Sequence, residues 1–501
     1  MQTLSKSDFQ LATSCAKKLV YKKAQYPTTN DTNEYMEMLA QGGYIVGHMA
    51  TLLFPEGIEI TGTTADSVAL TNEYLEQENC TLFEAAIKAG QKIIRIDVLK
   101  KRGNKLHLIE VKAKSHHTEQ DVTKQKNKLE KYIEDVAYQY LVLTEAFPQF
   151  EVECSLLMPD KAKRTTIDGL AGWFSIKPGT DPNKELNEII TQQKPKFNKP
   201  EVVFKYENDP EKSRYIDELL REGILDYLSV TKEVIQMQSV IKNRADQFLD
   251  ILNNGINASH YKINKSCKSC EFNSGNQLPN GYKECWGSLA DQEHPIFDLY
   301  YGNAIGHHTS GFYFDELIDQ QKTSLWDIDV ERLKNKKGEL GSRGTRQIIQ
   351  LENTRKNTEW ISNELKSMSG EFKYPLHFID FETYTGAMPF HKDIRAYELI
   401  AFQWSCHTIK HPGAEPVHNE WIHTGINFPN GEDFPNFEFA VSLMNLIGNT
   451  GTPFMWATHE NTVLRCILNQ MEIFGYQNQT LSQWILNMTH DNDKKNKISC
   501  R

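Results

Sequence analysis

The 501-residue chain contains no apolar run that approaches the length of a bilayer span, no internal repeat and no long low-complexity tract. These absences exclude a helical membrane protein, a solenoid and a linker-dominated chain. The N-terminal stretch "MQTLSKSDFQLATSCAKKLV" lacks the apolar segment of a secretory signal, so a cytoplasmic location with no membrane partner is expected. An excess of positive charge is missing too. Fifty-six Lys and Arg stand against 66 Asp and Glu, a net charge of -10, which argues against a histone-like coat on nucleic acid. A local basic groove stays open, because binding depends on the charge near the phosphates. In a reducing compartment the nine cysteines serve as metal ligands or buried thiols rather than as a disulfide framework. What is present suits real cores: 39% hydrophobic residues, with 8 Trp, 20 Tyr and 24 Phe. The length exceeds what one core supports, so two or three domains are expected.

The stretch "RIDVLKKRGNKLHLIEVKAK", Arg95 to Lys114, has a Gly103-Asn104 pair between runs of Ile, Val and Leu. That pair predicts a two-residue hairpin turn. Pairing outward from it sets Arg102 against Lys105, Leu99 against Leu108 and Asp97 against Glu110. Alternation then puts Ile96, Val98, Ile109 and Val111 on one face and Asp97, Glu110 and Lys112 on the other. Two facing carboxylates repel, and a hard divalent cation between them removes that penalty. The bland alternative is a hairpin with one solvated, charged face.

Lysines crowd the span from Lys92 to Lys131, including Lys100, Lys101, Lys105, Lys112, Lys114, Lys124, Lys126 and Lys128, which suggests either a solvated face or contact with nucleic acid. A helix is predicted over Gln125 to Ala146, where Leu129, Ile133, Val136, Tyr140 and Leu143 recur at helical spacing. Asp135 and Gln139 lie one turn apart on another side of it. "QQKPKFNKPEV", Gln192 to Val202, reads as an exposed link. Helices are predicted around Ser213 to Asp226 and Val230 to Leu252. From Asp291 to Ser369 the pattern is helical and polar, and "YPLHFIDFETY", Tyr374 to Tyr384, opens a further α/β region.

Cys267, Cys270 and Cys285 stand in "SCKSCEFNSGNQLPNGYKECWG", a loop-rich segment. Thiolates this close can grip one metal centre, and Cys15 in "ATSCAKKLVY" is the candidate fourth ligand, clasping the two ends of the front domain. Zinc also suits such a set, with His260 able to replace Cys15. Cys80, Cys154, Cys406, Cys466 and Cys500 have no such company and read as buried or incidental.

Together these residues resemble the RecB-like branch of the PD-(D/E)XK nucleases, which includes the CRISPR-associated iron–sulfur exonucleases. The resemblance implies catalytic roles for Asp97, for Glu110 with Lys112, and for Gln139 on the following helix. It implies metal contact by Asp97, Glu110 and His48, the last in "YIVGHMATLLFPEG". It also implies a [4Fe-4S] cluster on Cys15, Cys267, Cys270 and Cys285. Mg²⁺ or Mn²⁺ is the implied catalytic ion, and DNA, single-stranded or with duplex ends, the implied partner; protein partners are unknown. Two features depart from the family's pattern: Leu143 stands where it has Tyr, and the gap from Cys270 to Cys285 is long. The whole chain further resembles an uncharacterised bacterial family, domain of unknown function 2779, through "LSKSDF", "LFPEG", "EVKAKS" and "FIDFET".

In "HFIDFET", Asp380 and Glu382 lie two apart on one strand. The pair resembles the first motif of the DEDD exonucleases, whose RNase H-like sheet holds two metal ions on four carboxylates. By that likeness Glu460, in "PFMWATHENTVLRCIL", supplies a further metal ligand. The last acid and its helix are missing before the terminal "MTHDNDKKNKISCR"; Asp491 and Asp493 are available but wrongly spaced from a His or Tyr. An uncovered sheet face is therefore expected.

The expected fold class is α/β. Residues 1–290 form a restriction-endonuclease-like nuclease domain with its cysteine-ligated cluster, 291–370 a helical connector, and 371–501 an incomplete RNase H-like domain. The expected function is phosphodiester hydrolysis on DNA, probed first as an exonuclease in repair or defence. The alternatives are a catalytically inactive nucleic-acid-binding protein and a zinc-stabilised interaction scaffold.

Overall fold

The computed structural model describes residues 2–29, 34–177, 200–302, 305, 312–424 and 434–489. The strands are β1 Leu4–Ser5, β2 Ile58–Glu59, β3 Asn79–Ala89, β4 Lys92–Arg102, β5 Lys105–Val111, β6 Glu151–Pro159, β7 Phe174–Lys177, β8 Glu201–Phe204, β9 Leu225–Ser229, β10 Leu376–Tyr384, β11 Ile400–Ile409, β12 Val417–Ile422 and β13 Thr452–Phe454. The helices are α1 Lys6–Ser14, α2 Ala16–Lys23, α3 Glu34–Leu52, α4 Thr64–Leu75, α5 Val122–Lys128, α6 Glu130–Ala146, α7 Lys212–Glu222, α8 Thr231–Asn254, α9 Gly281–Trp286, α10 Phe312–Asp319, α11 Ser342–Lys356, α12 Asn363–Ser369, α13 Asn436–Ile447, α14 His459–Phe474 and α15 Gln479–Met488. The chain is thus α/β, as expected, and no helix among the described residues is long and apolar enough to cross a membrane.

Two compact units divide it. The first gathers Met1–Met36, Gly90–Ile93 and Val240–Ser369; the second gathers Glu37–Ala89, Ile94–Ser239 and Gly370–Arg501. These units cut across the three-part division read from the sequence. The segment expected to be a connector has a core of its own, in which Ile296, Phe297, Phe314 and Leu351 pack with Trp286. The expected boundary near residue 290 therefore falls inside one apolar cluster. The link expected over residues 192–202 lies mostly outside the described residues.

In the first unit Ser5 caps α1 through a capping box with Asp8. Asp8 is buried and takes ion pairs from Lys22 at 2.8 Å and Lys23 at 2.7 Å, both on α2. Cys15 occupies the extended residue at the corner between α1 and α2. Phe9 meets Phe248 edge to face at 5.5 Å and anchors α1 on α8.

In the second unit the main sheet runs β2-β3-β4-β5-β6-β9. The β4–β5 pair is antiparallel, with Arg102 opposite Lys105 and Leu99 opposite Leu108, the expected register. Gly103 has a φ of +55°, and a glycine at the first central position is what a type II′ turn needs. Val98 and Ile109 share an apolar cluster with Val46, Met49 and Ala50 of α3. On the opposite face lies α6, which packs on β3, β5 and β6. The single helix predicted over Gln125 to Ala146 is two helices, because Leu129 leaves helical geometry and buries its side chain at the break. The helix predicted to Asp226 stops at Glu222, capped by Gly223 at φ +59°, and residues from Leu225 pair as β9 instead.

The same unit holds a second sheet of order β12-β11-β10-β13, with β11 antiparallel and β13 parallel to β10. Phe381 and Trp404 of this sheet pack with Phe439 of α13, Val463 of α14 and Trp484 of α15. Ala387 and Met388, from the β10–β11 connection, belong instead to the apolar cluster of Val98 and Ile109.

Candidate functional site

Four of the residues singled out on the β4–β5 hairpin and the next helix meet in one polar group. Glu110, 1% exposed on β5, accepts from the Gln139 amide of α6 at 2.7 Å through Oε2. Its Oε1 lies 2.7 Å from the Lys112 ammonium. The paired β4–β5 ladder runs inward from Val98 and Ile109, and Asp97, the next residue out, turns its carboxylate to accept the Val111 N–H at 2.7 Å. Lys112 also reaches Asp135 at 3.2 Å, and its ammonium stands 5.4 Å from the centre of the Tyr132 ring. Burial opposes the charge on Lys112, but Glu110, Asp135 and Asp97 outweigh it and hold the ammonium above its ordinary range. Lys112 is therefore a fixed cation at neutral pH and not a proton acceptor. Gln139 is fully buried, and its Oε1 has no hydrogen-bond partner among the described residues.

His48 stands on α3, among the residues that pack against the apolar face of the hairpin, with its ring edge-on to Phe174 at 6.3 Å. Asp135 and Tyr132 were not among the expected site residues. The signal for Asp135 is its place one turn before Gln139 on α6, which brings both to Glu110 and Lys112.

In the first unit the expected cysteines come together. Cys267 lies within a short 3-10 turn, Lys265–Ser269, that Cys270 caps, Cys285 lies on α9, and Cys15 faces them from the α1–α2 corner, close enough for its charge to bear on Cys267 and Cys285. Burial raises the Cys267, Cys270 and Cys285 thiols, while the N–H groups of Asn264 and Phe272 point at the sulfurs of Cys267 and Cys270 and favour thiolate. Tyr21 of α2 sits 3.1 Å from the Cys285 sulfur, and Lys18 pairs with Glu271 at 2.6 Å, so α2 is strapped to the cysteine segment. A Cβ on Gly281 would lie 2.6 Å from the Tyr21 ring, so this close approach needs glycine. His260 is occupied elsewhere, its Nδ1 accepting the Asn257 N–H at 3.3 Å. Cys80, Cys154, Cys406 and Cys466 are buried, and Cys500 lies outside the described residues.

The β10 acids are set differently. Asp380 and Glu382 are exposed on one face, opposite Ser405 and Gln403 of β11, with a bulge after Glu382. Glu460 is buried in the first turn of α14, and its Oε2 has no hydrogen-bond partner. The exposed face also carries Phe378, stacked on Phe454 at 5.0 Å, and Tyr384. Asp491 and Asp493 lie outside the described residues. Among the described residues no three His, Cys, Asp or Glu side chains are grouped to hold a single metal ion as they stand.

Residues 377–493 match a family model described as Domain of unknown function (DUF2779). No curated protein and no solved structure matches the chain. The match is narrower than the whole-chain likeness expected from the sequence: "FIDFET" falls inside it, while "LSKSDF", "LFPEG" and "EVKAKS" lie before it.

The matched DUF2779 region reaches the hairpin site. Tyr397, in its β10–β11 connection, donates its hydroxyl proton to the carbonyl of Ala113, the residue after Lys112. Burial, with Tyr384 and Tyr132 nearby, pushes the Tyr397 phenol up to about 12, so it stays a donor at neutral pH. No spacing in the sequence announces this contact, because the two residues are brought together only by the packing of the connection on the sheet.

Proposed function

We propose that the protein is a metal-dependent nuclease of the PD-(D/E)XK kind, hydrolysing phosphodiesters of DNA at the hairpin site. The observation that carries the reading is the buried Glu110, held on both oxygens by Lys112 and Gln139 beside Asp97. Asp97, Glu110 and Asp135 gather carboxylate oxygens about Lys112, and oxygens of this kind are the donors that a hard divalent cation takes. Asp97 and Glu110 would hold Mg²⁺ or Mn²⁺, which supplies Lewis-acid activation of the phosphate and of a water. Lys112, kept protonated, stabilises charge that develops on the phosphate oxygens. Gln139 positions the Glu110 carboxylate by donating its amide to it.

The cysteine group supports a [4Fe-4S] clasp on Cys15, Cys267, Cys270 and Cys285. Four thiolates with aimed N–H donors suit it, and a cluster that takes each sulfur on a different iron needs no convergence on one ion. For the DUF2779 region the acids on central β10 and the buried Glu460 support an RNase H-like reading, while the scattered burial of the three acids supports a subsidiary role.

Degradation of labelled single- and double-stranded DNA with Mg²⁺ or Mn²⁺, with and without chelator, tests the proposal. Cleavage that disappears with chelator and in Asp97→Ala is expected. Lys112→Ala should slow turnover about a hundredfold while metal affinity stays close to wild type. Full activity in both Asp97→Ala and Glu110→Ala overturns it.

A further inference from the structure

A cleft of about 560 Å³ opens beside the hairpin site, lined on one side by Lys114, His117, Lys128 and Lys161 and on the other by Arg395 and Tyr397. Its two walls come from distant parts of the sequence. The first is the loop after β5 with the end of α5, fixed by Gln125, whose amide donates to the His117 and Gln120 carbonyls at 2.7 and 3.2 Å and accepts the His117 N–H at 2.7 Å. The second is the β10–β11 connection, residues 385–399. That connection is laced to residues 165–171 by backbone bonds: Thr165 N–H to Ile394 and Asp393 N–H to Thr165, at 3.0 and 2.9 Å, with Gly169 N–H to Phe390 at 3.0 Å. Buried Glu398 then holds Arg395 by its backbone N–H and its Nε, each at 3.2 Å.

Two observations point to an anionic ligand. In a chain of net charge -10, four cations line this cleft against the single carboxylate of Glu398, which is already engaged by Arg164 and Arg395. Lys114 and Lys128 have no ion-pair partner among the described residues, the Arg395 Nη2 donors are uncommitted, and the Nδ1 of His117 is buried without a hydrogen-bond partner. His116 does not add to the charge, because burial lowers its pKa despite Asp160 and Asp226. The wall itself is fixed: Tyr397 and Asp393 hold φ values of +60° and +64°, a left-handed backbone that side-chain-bearing residues keep only where their surroundings hold it.

We propose that the β10–β11 connection of the DUF2779 region forms one wall of a phosphate-binding cleft that guides one nucleic-acid strand to the Asp97–Glu110–Lys112 site. The identity of the ligand as nucleic acid rests on the nuclease reading above. The cleft has the volume of a ligand-sized site, and a single strand is the occupant we assign to it. Lys114, Lys128 and Arg395 contact phosphates. Tyr397 is a positioning residue: by bonding the Ala113 carbonyl it fixes the backbone that carries Lys112.

The test is binding of a labelled short single-stranded oligonucleotide by the full chain with Ca²⁺, over a range of salt, followed by turnover with Mg²⁺ or Mn²⁺. Lys114→Gln and Lys128→Gln, both at exposed and unpaired positions, should each weaken binding about fivefold and flatten the slope of log affinity against log salt by about 0.7. Tyr397→Phe should leave affinity and unfolding midpoint close to wild type and lower kcat about tenfold, a split that a merely structural tyrosine does not produce. Unchanged affinity and salt slope in both lysine variants, or no strand binding by wild type, overturns the cleft. Equal affinity for a blunt duplex overturns the choice of a single strand. If the lysine variants weaken binding while Glu110→Gln retains full turnover, the cleft stands and the nuclease reading falls; if Glu110→Gln is inactive and the lysine variants bind normally, only the cleft falls.

Discussion

The hairpin and β10 carry nearly the same local message, acidic residues among apolar ones on a strand, yet their surroundings differ. Glu110 is 1% exposed and tied to Lys112 and Gln139, whereas Asp380 and Glu382 face outward on β10. A buried carboxylate is stable only when paired, so its partners are built with it and its position is defined. An exposed one is solvated and needs no partner. The difference teaches that acidic spacing marks a strand as a candidate, and that burial with a cationic partner separates a preorganised site from a charged face.

The comparison breaks most sharply on activity. Glu110→Gln keeps the shape of the site but removes its charge and one of its two acceptor oxygens, and should lower cleavage at least about a thousandfold while the protein still folds. The double variant Asp380→Asn with Glu382→Gln should stay within about twofold of wild type in the same assay. A dead double variant beside an active Glu110→Gln would reverse the ranking of the two strands.

A second comparison sets the gathered cysteines against the isolated ones. Anaerobically purified protein should be brown from thiolate-to-iron charge transfer. Replacing Cys15, Cys267, Cys270 or Cys285 by Ser should bleach it and lower the unfolding midpoint of the first unit, while Cys154→Ser should leave the colour unchanged. Loading should weaken as pH falls, since the raised thiols must lose protons to bind metal. A colourless protein with stoichiometric zinc would assign the clasp to zinc.

The smallest effect concerns Asp8, a buried carboxylate with a structural role. Burial opposes its charge, but Lys22, Lys23 and Ser5 more than compensate and hold its carboxyl down at about 2. Because the folded pKa lies below the unfolded one, this pair stabilises above about pH 4 and its contribution is lost as pH falls through about 2. It amounts to about 2 kcal/mol. Asp8→Asn should lower the unfolding midpoint at neutral pH and remove part of the acid sensitivity; equal acid sensitivity in the variant would dismiss the pairing.

Much of this was legible because it is local. The Gly103-Asn104 turn, the register through Leu99 and Leu108, the strand at "HFIDFET" and the helix after "PFMWATHE" all follow from alternation, turn residues and helical spacing. The break at Leu129 and the end of α7 at Glu222 escaped, because burial of one side chain and strand pairing overrode helical spacing. Asp135 was half legible, one turn from Gln139.

The sequence by itself determined which residues are candidates for chemistry: two carboxylates and a lysine at one end of a hairpin, a glutamine on a following helix, and four cysteines at two ends of a segment. Only the tertiary structure decided their environment. It put Glu110 and Gln139 out of water, drew Asp135 to Lys112, packed residues 296–351 into the cysteine unit and brought Tyr397 onto Ala113. Turn geometry and alternation act within a few residues, so they are written in the chain order. Burial and charge pairing depend on which distant segments share a core, and that is settled only when the whole chain packs.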